Sequence, residues 1–228
     1  MTLDTDRIHT ITFDSYSTLV DPRSAGRVLE EYTDEPEAVA ARWHSLAVRY
    51  AIVANHVDAY RTYYELHTDA LAFLLADRGY DLSDEKIEEL TDVYYDLDPF
   101  DDVRRGFERL SEAGYTLAIL SNGDPDLLES LVETTDTGDL LETTISADEI
   151  RTFKPDAELY EHAADRLDAS IESILHVGAG SDDIMGTTHA GMQGAWLNRS
   201  DSPWPRFDGD PDAIVDSMDE LVDVVVDD

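Results

Sequence analysis

From Ile8 to Asp14 the chain reads Ile-His-Thr-Ile-Thr-Phe-Asp, a partly alternating run rich in β-branched residues. This predicts a first strand, and it ends in an acid followed by Ser15, Tyr16, Ser17 and Thr18. Between Ala25 and about Asp98 the apolar positions fall at helical spacing instead: Val28, Leu29, Tyr32; then Val39, Trp43, Leu46, Ala47, Tyr50; then Tyr60, Tyr63, Tyr64, Leu66 and the apolar group from Leu71 to Leu75. Asp81 to Glu85, ahead of Ile87 and Leu90, has the composition of a turn with an N-cap and acids in the first helical turn. The helical stretch closes at Asp98-Pro99-Phe100.

Beyond that break, strand and helix patterns alternate. Helices are expected over Val103–Ala113 (closed by Gly114), Pro125–Glu133, Asp156–Leu167 and Asp183–Ala190 (closed by Gly191). Strands are expected over Thr116–Leu120, Thr143–Ser146, Ile174–Gly178 and Ala195–Asn198, with a last helix from Ser217 to Val225 and a surface loop at Ser202–Pro205. No internal repeat interrupts this order. Alternation of this kind predicts an α/β fold with a mainly parallel sheet and helices on both faces, into which the helical stretch is inserted after the first strand.

Composition narrows the class. With 228 residues, 42% of them hydrophobic, the chain can bury a sizeable core. There is no cysteine, which removes disulfides, thiolate metal sites and cysteine nucleophiles and is consistent with a reducing cytoplasm. Neither a basic-then-apolar leader nor a long apolar run is present, so no membrane association is expected. The net charge is −36, from 52 acids against 16 Lys and Arg. Repulsion of that size excludes nucleic acid and anionic membrane as partners. It also predicts a fold that prefers concentrated salt, where the Debye length shrinks to about 3 Å. The scattered acids, with Lys86 and Lys154 the only lysines, resemble the proteins of salt-loving archaea.

In a parallel sheet the chemistry collects where strands end. Asp14 follows the first strand, Ser121-Asn122-Gly123 the second, Lys154 precedes a helix and Asp183 follows the strand ending at Gly178. A carboxylate nucleophile, hydroxyl and amide donors, an ammonium to keep the carboxylate ionised and a second carboxylate would thus share one cleft. His44, His56 and His67 lack the short helical spacing of a metal site, and no metal is expected from them.

The order of these segments resembles the haloacid dehalogenase superfamily over nearly the whole chain. Its motifs correspond to Phe13-Asp14-Ser15-Tyr16-Ser17-Thr18-Leu19, Leu120-Ser121-Asn122-Gly123, Phe153-Lys154-Pro155-Asp156 and Val177-Gly178-Ala179-Gly180-Ser181-Asp182-Asp183-Ile184. The resemblance implies a Rossmann-like core from residues 1–20 and 100–228, a helical cap over 21–99, a nucleophile at Asp14 and catalytic support from Thr18, Lys154 and Asp183. Phosphatases of that superfamily carry a second Asp where this chain has Tyr16, and a magnesium-binding acid where it has Ala179. Tyr16, Thr18, Trp43, Tyr50 and Tyr160 instead resemble the metal-independent L-2-haloacid dehalogenases.

That likeness implies substrate contacts at Tyr16, His44, Ser121, Asn122 and Tyr160, no cofactor, and often a homodimer. Two departures stand out: His44 replaces the arginine that cradles halide, and Gly178 and Gly180 replace a serine and an asparagine near the nucleophile. Arg42 and Arg49 share the helix of His44 but are expected to point roughly 160° or more away from it. A magnesium-dependent phosphoester hydrolase on the same fold, or a weakly active binding protein for a small carboxylate or phosphoester, are the alternatives.

Overall fold

The computed structural model describes residues 3–226. Its main sheet is built around β1 (Thr10–Phe13), every residue of which is buried, as in a central parallel strand covered on both faces. On one side of β1 lie β4 (Thr116–Ser121) and β5 (Thr143–Ser146); on the other lie β6 (Ile174–Gly178), β7 (Gln193–Leu197) and β8 (Ala213–Val215). All neighbours are parallel. Phe13 is level with both Ile119 and Val177, so Asp14, the end of β4 and Gly178 come to one edge of the sheet. The chain leaves β1 toward strands on both sides, and this reversal opens a crevice above their carboxyl ends.

Between β2 (Val20–Asp21) and β3 (Asp98–Pro99), which pair antiparallel as a short ribbon, the chain forms α1 (Pro36–Val57), α2 (Tyr63–Asp77) and α3 (Asp84–Thr91). Thr62 and Glu65 close a capping box at the start of α2, and Ser83 caps α3. The remaining helices are α4 (Val103–Glu112), α5 (Pro125–Thr135), α6 (Ala157–Arg166), α7 (Ser181–Ala190) and α8 (Met218–Val226). In α4, Val103, Phe107 and Leu110 are buried, and Phe107 packs on Phe13 with ring centroids 4.4 Å apart. A Cβ at Gly106 would stand 2.1 Å from Met218 Cγ, so glycine is what lets α4 and α8 approach so closely.

The expected α/β fold is present, with four differences of detail. Residues Pro22–Val28 form a tight 3-10 turn rather than the first turns of an α-helix. Gly26 explains it, because a Cβ there would meet the Pro36 backbone at 2.9 Å. The first strand covers only Thr10–Phe13, since Ile8 leaves a preceding 3-10 turn. The strands β2, β3 and β8 are two or three residues long, too short to leave a periodic signature. Lastly, α7 begins at Ser181 with Gly180 as its N-cap, so Asp183 lies inside the first turn and caps nothing.

Candidate active site

Directly after β1, the Asp14 amide continues the sheet by donating to Val177 O at 2.9 Å, which sets the carboxylate at the crevice. The chain then turns back sharply: Leu19 N bonds Ser15 O at 2.8 Å, and Ser17 takes a φ of 65°. A left-handed serine is conformationally costly, and here it accompanies a turn that returns Thr18 to the nucleophile. The Thr18 hydroxyl donates to Asp14 Oδ2 at 3.3 Å while accepting from Ala179 N at 2.9 Å.

Lys154 is buried and bridges the site. Its Nζ donates to Asp14 Oδ1 at 2.7 Å, to Asp183 Oδ2 at 2.7 Å and to Leu120 O at 3.0 Å, using its three protons. Burial works against its charge, but Asp14 and Asp183 outweigh it and hold the ammonium above its ordinary pKa. For Asp14 the balance tips the other way: burial, abetted by Asp183, keeps its carboxyl above the usual value despite Lys154. Asp183 is also desolvated, yet Lys154 and His176 together pull it well below. Its Oδ1 accepts from Tyr160 Oη at 2.7 Å, and its Oδ2 also meets His176 Nε2 at 3.1 Å. His176 in turn meets Thr12 Oγ1 through Nδ1 at 2.8 Å.

A cavity of about 530 Å³ opens above these groups. Asp14, Tyr16, His44, Asn122, Lys154 and Asp183 all line it, together with Ser45, Val48, Arg49, Ile52, Tyr63 and Asp182. Thr18, Ser121 and Tyr160 do not. Ser121 Oγ is instead paired with Ser15 Oγ at 2.6 Å and accepts from Gly123 N, and Tyr160 holds Asp183 from within the core. Ser121 and Tyr160, expected as substrate contacts, thus have their hydroxyls engaged with protein partners and are not part of the cavity wall. Asn122 serves twice, accepting from Lys154 N at 2.8 Å through Oδ1 and forming part of the cavity wall.

The arginine expectation also needs correcting. Five residues advance a helix by about 140°, and the cavity wraps α1 widely enough to take in His44, Ser45, Val48, Arg49 and Ile52. Arg49 is therefore on the same wall as His44, and among the described residues it forms no ion pair. Burial pushes the His44 imidazole down to about 4, so it is uncharged at neutral pH. Its ring lies against Tyr16 and His67, with centroids 5.7 and 5.8 Å away. In this aromatic cluster Tyr16 Oη, His44 Nδ1, His67 Nε2 and Tyr94 Oη are buried without a partner among the described residues, a cost unless something polar enters.

Side chains from α1, from the N-terminus of α5 and from the terminal third of the chain brace the site. Asn55 bonds Phe153 through both its groups, at 2.8 and 3.0 Å, immediately before Lys154. Asp124 accepts from the first two amides of α2, Tyr63 N and Tyr64 N, at 2.8 Å each. Arg199, stacked on Phe100, donates to both oxygens of Asp102 at 2.9 Å and to Thr18 O at 3.1 Å. His176, Arg49 and Arg199 were not anticipated as contributors; only the strand register of His176, two residues before Gly178, carried a signal.

Magnesium does not fit these residues. Where a divalent ion would bridge Asp14 and Asp183, the Lys154 ammonium already stands at 2.7 Å from each. Both oxygens of Asp183 are taken, and position 179 is alanine. No group of three or more His, Asp or Glu side chains among the described residues is arranged to hold a metal.

Comparison with known proteins places this geometry. The sequence model of one family, haloacid dehalogenase-like hydrolase, matches residues 8–191. An (S)-2-haloacid dehalogenase of Pseudomonas putida is 29% identical over 94% of this chain and 95% of its own. Haloacetate dehalogenase H-2 of a Moraxella species is 30% identical, over 96% and 98%. Among solved structures, an L-2-haloacid dehalogenase superposes with a TM-score of 0.90 at 27% identity, covering 96% of this chain and 98% of the other.

Proposed function

The chain belongs to the haloacid dehalogenase-like hydrolase family, and from that premise we propose that it removes halide from a short 2-haloacid through an ester formed on Asp14. The observation that carries this reading is the unequal use of the two Asp14 oxygens. Oδ1 is held by Lys154 at 2.7 Å, whereas Oδ2 has only the 3.3 Å contact from Thr18. The freer oxygen, Oδ2, attacks the halogen-bearing carbon in line, the carbon–halogen bond breaks, and halide departs with the electron pair. No proton and no metal are needed for that step. Oδ1 then becomes the ester carbonyl oxygen, already facing an ammonium that stabilises the oxyanion when water attacks Cγ.

In this reading Thr18 orients the nucleophile, Asp183 holds Lys154, and Tyr160 holds Asp183. The NH₂ group of Asn122, whose Oδ1 is bound to Lys154 N, binds the substrate carboxylate. Tyr16 and His44 face the leaving group, and Arg49 supplies the positive charge that His44 does not. Residues 21–99 act as the cap over a core of 1–20 and 100–228; the ribbon of β2 and β3, where the chain leaves and rejoins the core, supports that division. No helix among the described residues is long and apolar enough to cross a membrane. A cysteine-free, strongly acidic enzyme of this kind fits the cytoplasm, without nucleic-acid or membrane partners. Self-association into a homodimer is part of the reading, and exposed Val53, Val57 and Phe73 on α1 and α2 support it.

The experiment is halide release from L-2-chloropropionate in molar salt, with and without EDTA, for the wild type and Asp14→Asn. Release that survives EDTA and vanishes in the variant is expected. Phosphate release from a general phosphoester that requires magnesium, with no halide release, would replace this reading by the phosphatase.

A further inference from the structure

With Asp14 as the attacking group, three of the four substituents on the reacting carbon of a haloacid are already accounted for. The halogen points away from Asp14 Oδ2, toward Tyr16 and His44, the carboxylate lies at Asn122, and hydrogen needs no room. The alkyl group remains, and the rest of the cavity wall decides how long it is. A three-carbon acid takes up little of the 530 Å³, which is the size of pocket that encloses much larger ligands.

The remaining wall is a stripe of α1. Ser45, Val48, Arg49, Ile52 and Val53 line the cavity at the spacing of one helical face. From His44 to Val53 that face runs about 13 Å at 1.5 Å per residue. Val48 and Ile52 are partly exposed and Val53 is 48% exposed, so an apolar stripe leads from the reacting groups to solvent. Its charge sets α1 apart as well. The 22 residues of the helix include one acid, Glu37 in the first turn, in a chain with 52 acids among 228 residues. On the core side, Ala179 and Gly180 line the same cavity with a methyl group and with no side chain at all, so that loop does not fill the space. Val57 and Phe73, part of the self-association surface, do not line the cavity, whereas Val48 and Ile52 do.

We propose that the preferred substrates are 2-haloacids with an unbranched alkyl tail longer than that of chloropropionate, laid along Val48, Ile52 and Val53 of α1. This assignment rests on the reading of Asp14 as the nucleophile toward a 2-haloacid and names the members of that class the cavity is shaped for. The tail takes no part in the displacement. It contributes apolar burial, and the stripe that receives it is free of carboxylates that would repel an anionic substrate or hold water against the chain.

The test is steady-state halide release from the L-2-chloro derivatives of propionate, butanoate and hexanoate, in molar salt with EDTA. Wild type, Val48→Ser and Ile52→Ser are compared, with circular dichroism to verify that each variant is folded. In the wild type KM is expected to fall about two- to fourfold for each added methylene, the upper value for full burial of the group and the lower for half. The turnover number should change little, because contacts to the tail are the same in the ground and transition states. Both serine variants should flatten the series, lowering the preference for the hexanoate over the propionate derivative. A KM that is level or rises with tail length overturns the proposal, as does a wild-type slope retained in both variants. If no acid of any length releases halide, the dehalogenase reading falls, and calorimetric titration with unhalogenated propionate and hexanoate judges the tail site by itself. Tighter binding of hexanoate that is lost in Ile52→Ser upholds that site, and equal binding of the two acids overturns it.

Discussion

His176 Nε2 stands 3.1 Å from Asp183 Oδ2, the same oxygen that Lys154 holds at 2.7 Å. Because a carboxylate only accepts, Nε2 carries the proton, and the imidazole and the ammonium together fix one oxygen of Asp183. His176 is fully buried in β6 and never reaches the cavity, so it acts on catalysis only through Asp183 and Lys154. His176→Phe should cost about 1.5–3 kcal/mol of stability, the value of a hydrogen bond to a charged group. Turnover should fall about tenfold while KM stays near that of the wild type. Urea unfolding and steady-state halide release check both halves; an unchanged kcat would show that Tyr160 and Lys154 suffice to place Asp183.

Arg199 reaches the nucleophile loop from a distant part of the chain. Its Nη2 donates to Thr18 O at 3.1 Å while Asp102, which also accepts from Met218 N, pins the guanidinium. Arg199→Ala strands a half-buried Asp102 and frees the turn that presents Thr18. Loss of about 2–3 kcal/mol is expected, with a fall in kcat larger than any change in KM. Arg199→Lys should restore little, since an ammonium cannot bond both Asp102 oxygens and Thr18 O in the same plane.

Two pH effects follow from burial. The Asp14 carboxyl sits above the ordinary carboxylate range, and it attacks only when ionised. The acid limb of kcat/KM should therefore lie above the pH at which a free aspartate would place it, with activity falling as pH drops through it. The second effect is on stability. His44 titrates near 4 in the fold against about 6.5 when unfolded, and burial drives His67 well below its ordinary value. Between these limits the unfolded chain binds the extra protons. Stability is complete above about pH 6.5 and is lost as pH falls toward 4. Denaturant midpoints across that window should show a shallower decline for His67→Phe than for the wild type; parallel curves would assign the loss to carboxylates alone.

With a net charge of −36, repulsion is spread over the whole surface. Ion pairs such as Arg105 with Asp219 and Arg109 with Asp223 offset only a little of it, because exposed pairs contribute about 1 kcal/mol or less. Raising KCl from about 0.1 M to 1 M shortens the Debye length from about 10 to 3 Å and should raise the thermal midpoint, with little further gain from screening beyond. A midpoint that falls with salt would mean that the ion pairs, not the repulsion, dominate.

Much of the fold was legible because its signals are local. The helical spacing of Trp43, Ala47 and Leu46 and the alternation after Phe100 reflect how each segment buries one face. Helix ends at Gly114 and Gly191, with φ of 93° and 99°, fall where the glycines predict them. The strands β2, β3 and β8 were not legible, being too short to show a period. Residues 22–28 misled for a different reason: their turn is dictated by a contact between Gly26 and Pro36 that no sequence period encodes.

For the site, the sequence alone determined the chemical inventory: an acid at the end of the first strand, one of only two lysines ahead of a helix, and an acid after the strand that ends at Gly178. Those assignments depend on strand ends, which hydrophobic periodicity marks. Only the tertiary structure decided which atoms meet. Asp14 and Lys154 are 140 residues apart in the chain, and their contact depends on the register of β4 and β6 about β1. The same register brings His176 behind Asp183, engages the Ser121 and Tyr160 hydroxyls with protein partners, and sets Asp182 on the cavity wall. Sequence spacing specifies a face of a strand or helix; the packing of several faces determines which lone pairs remain open to a substrate.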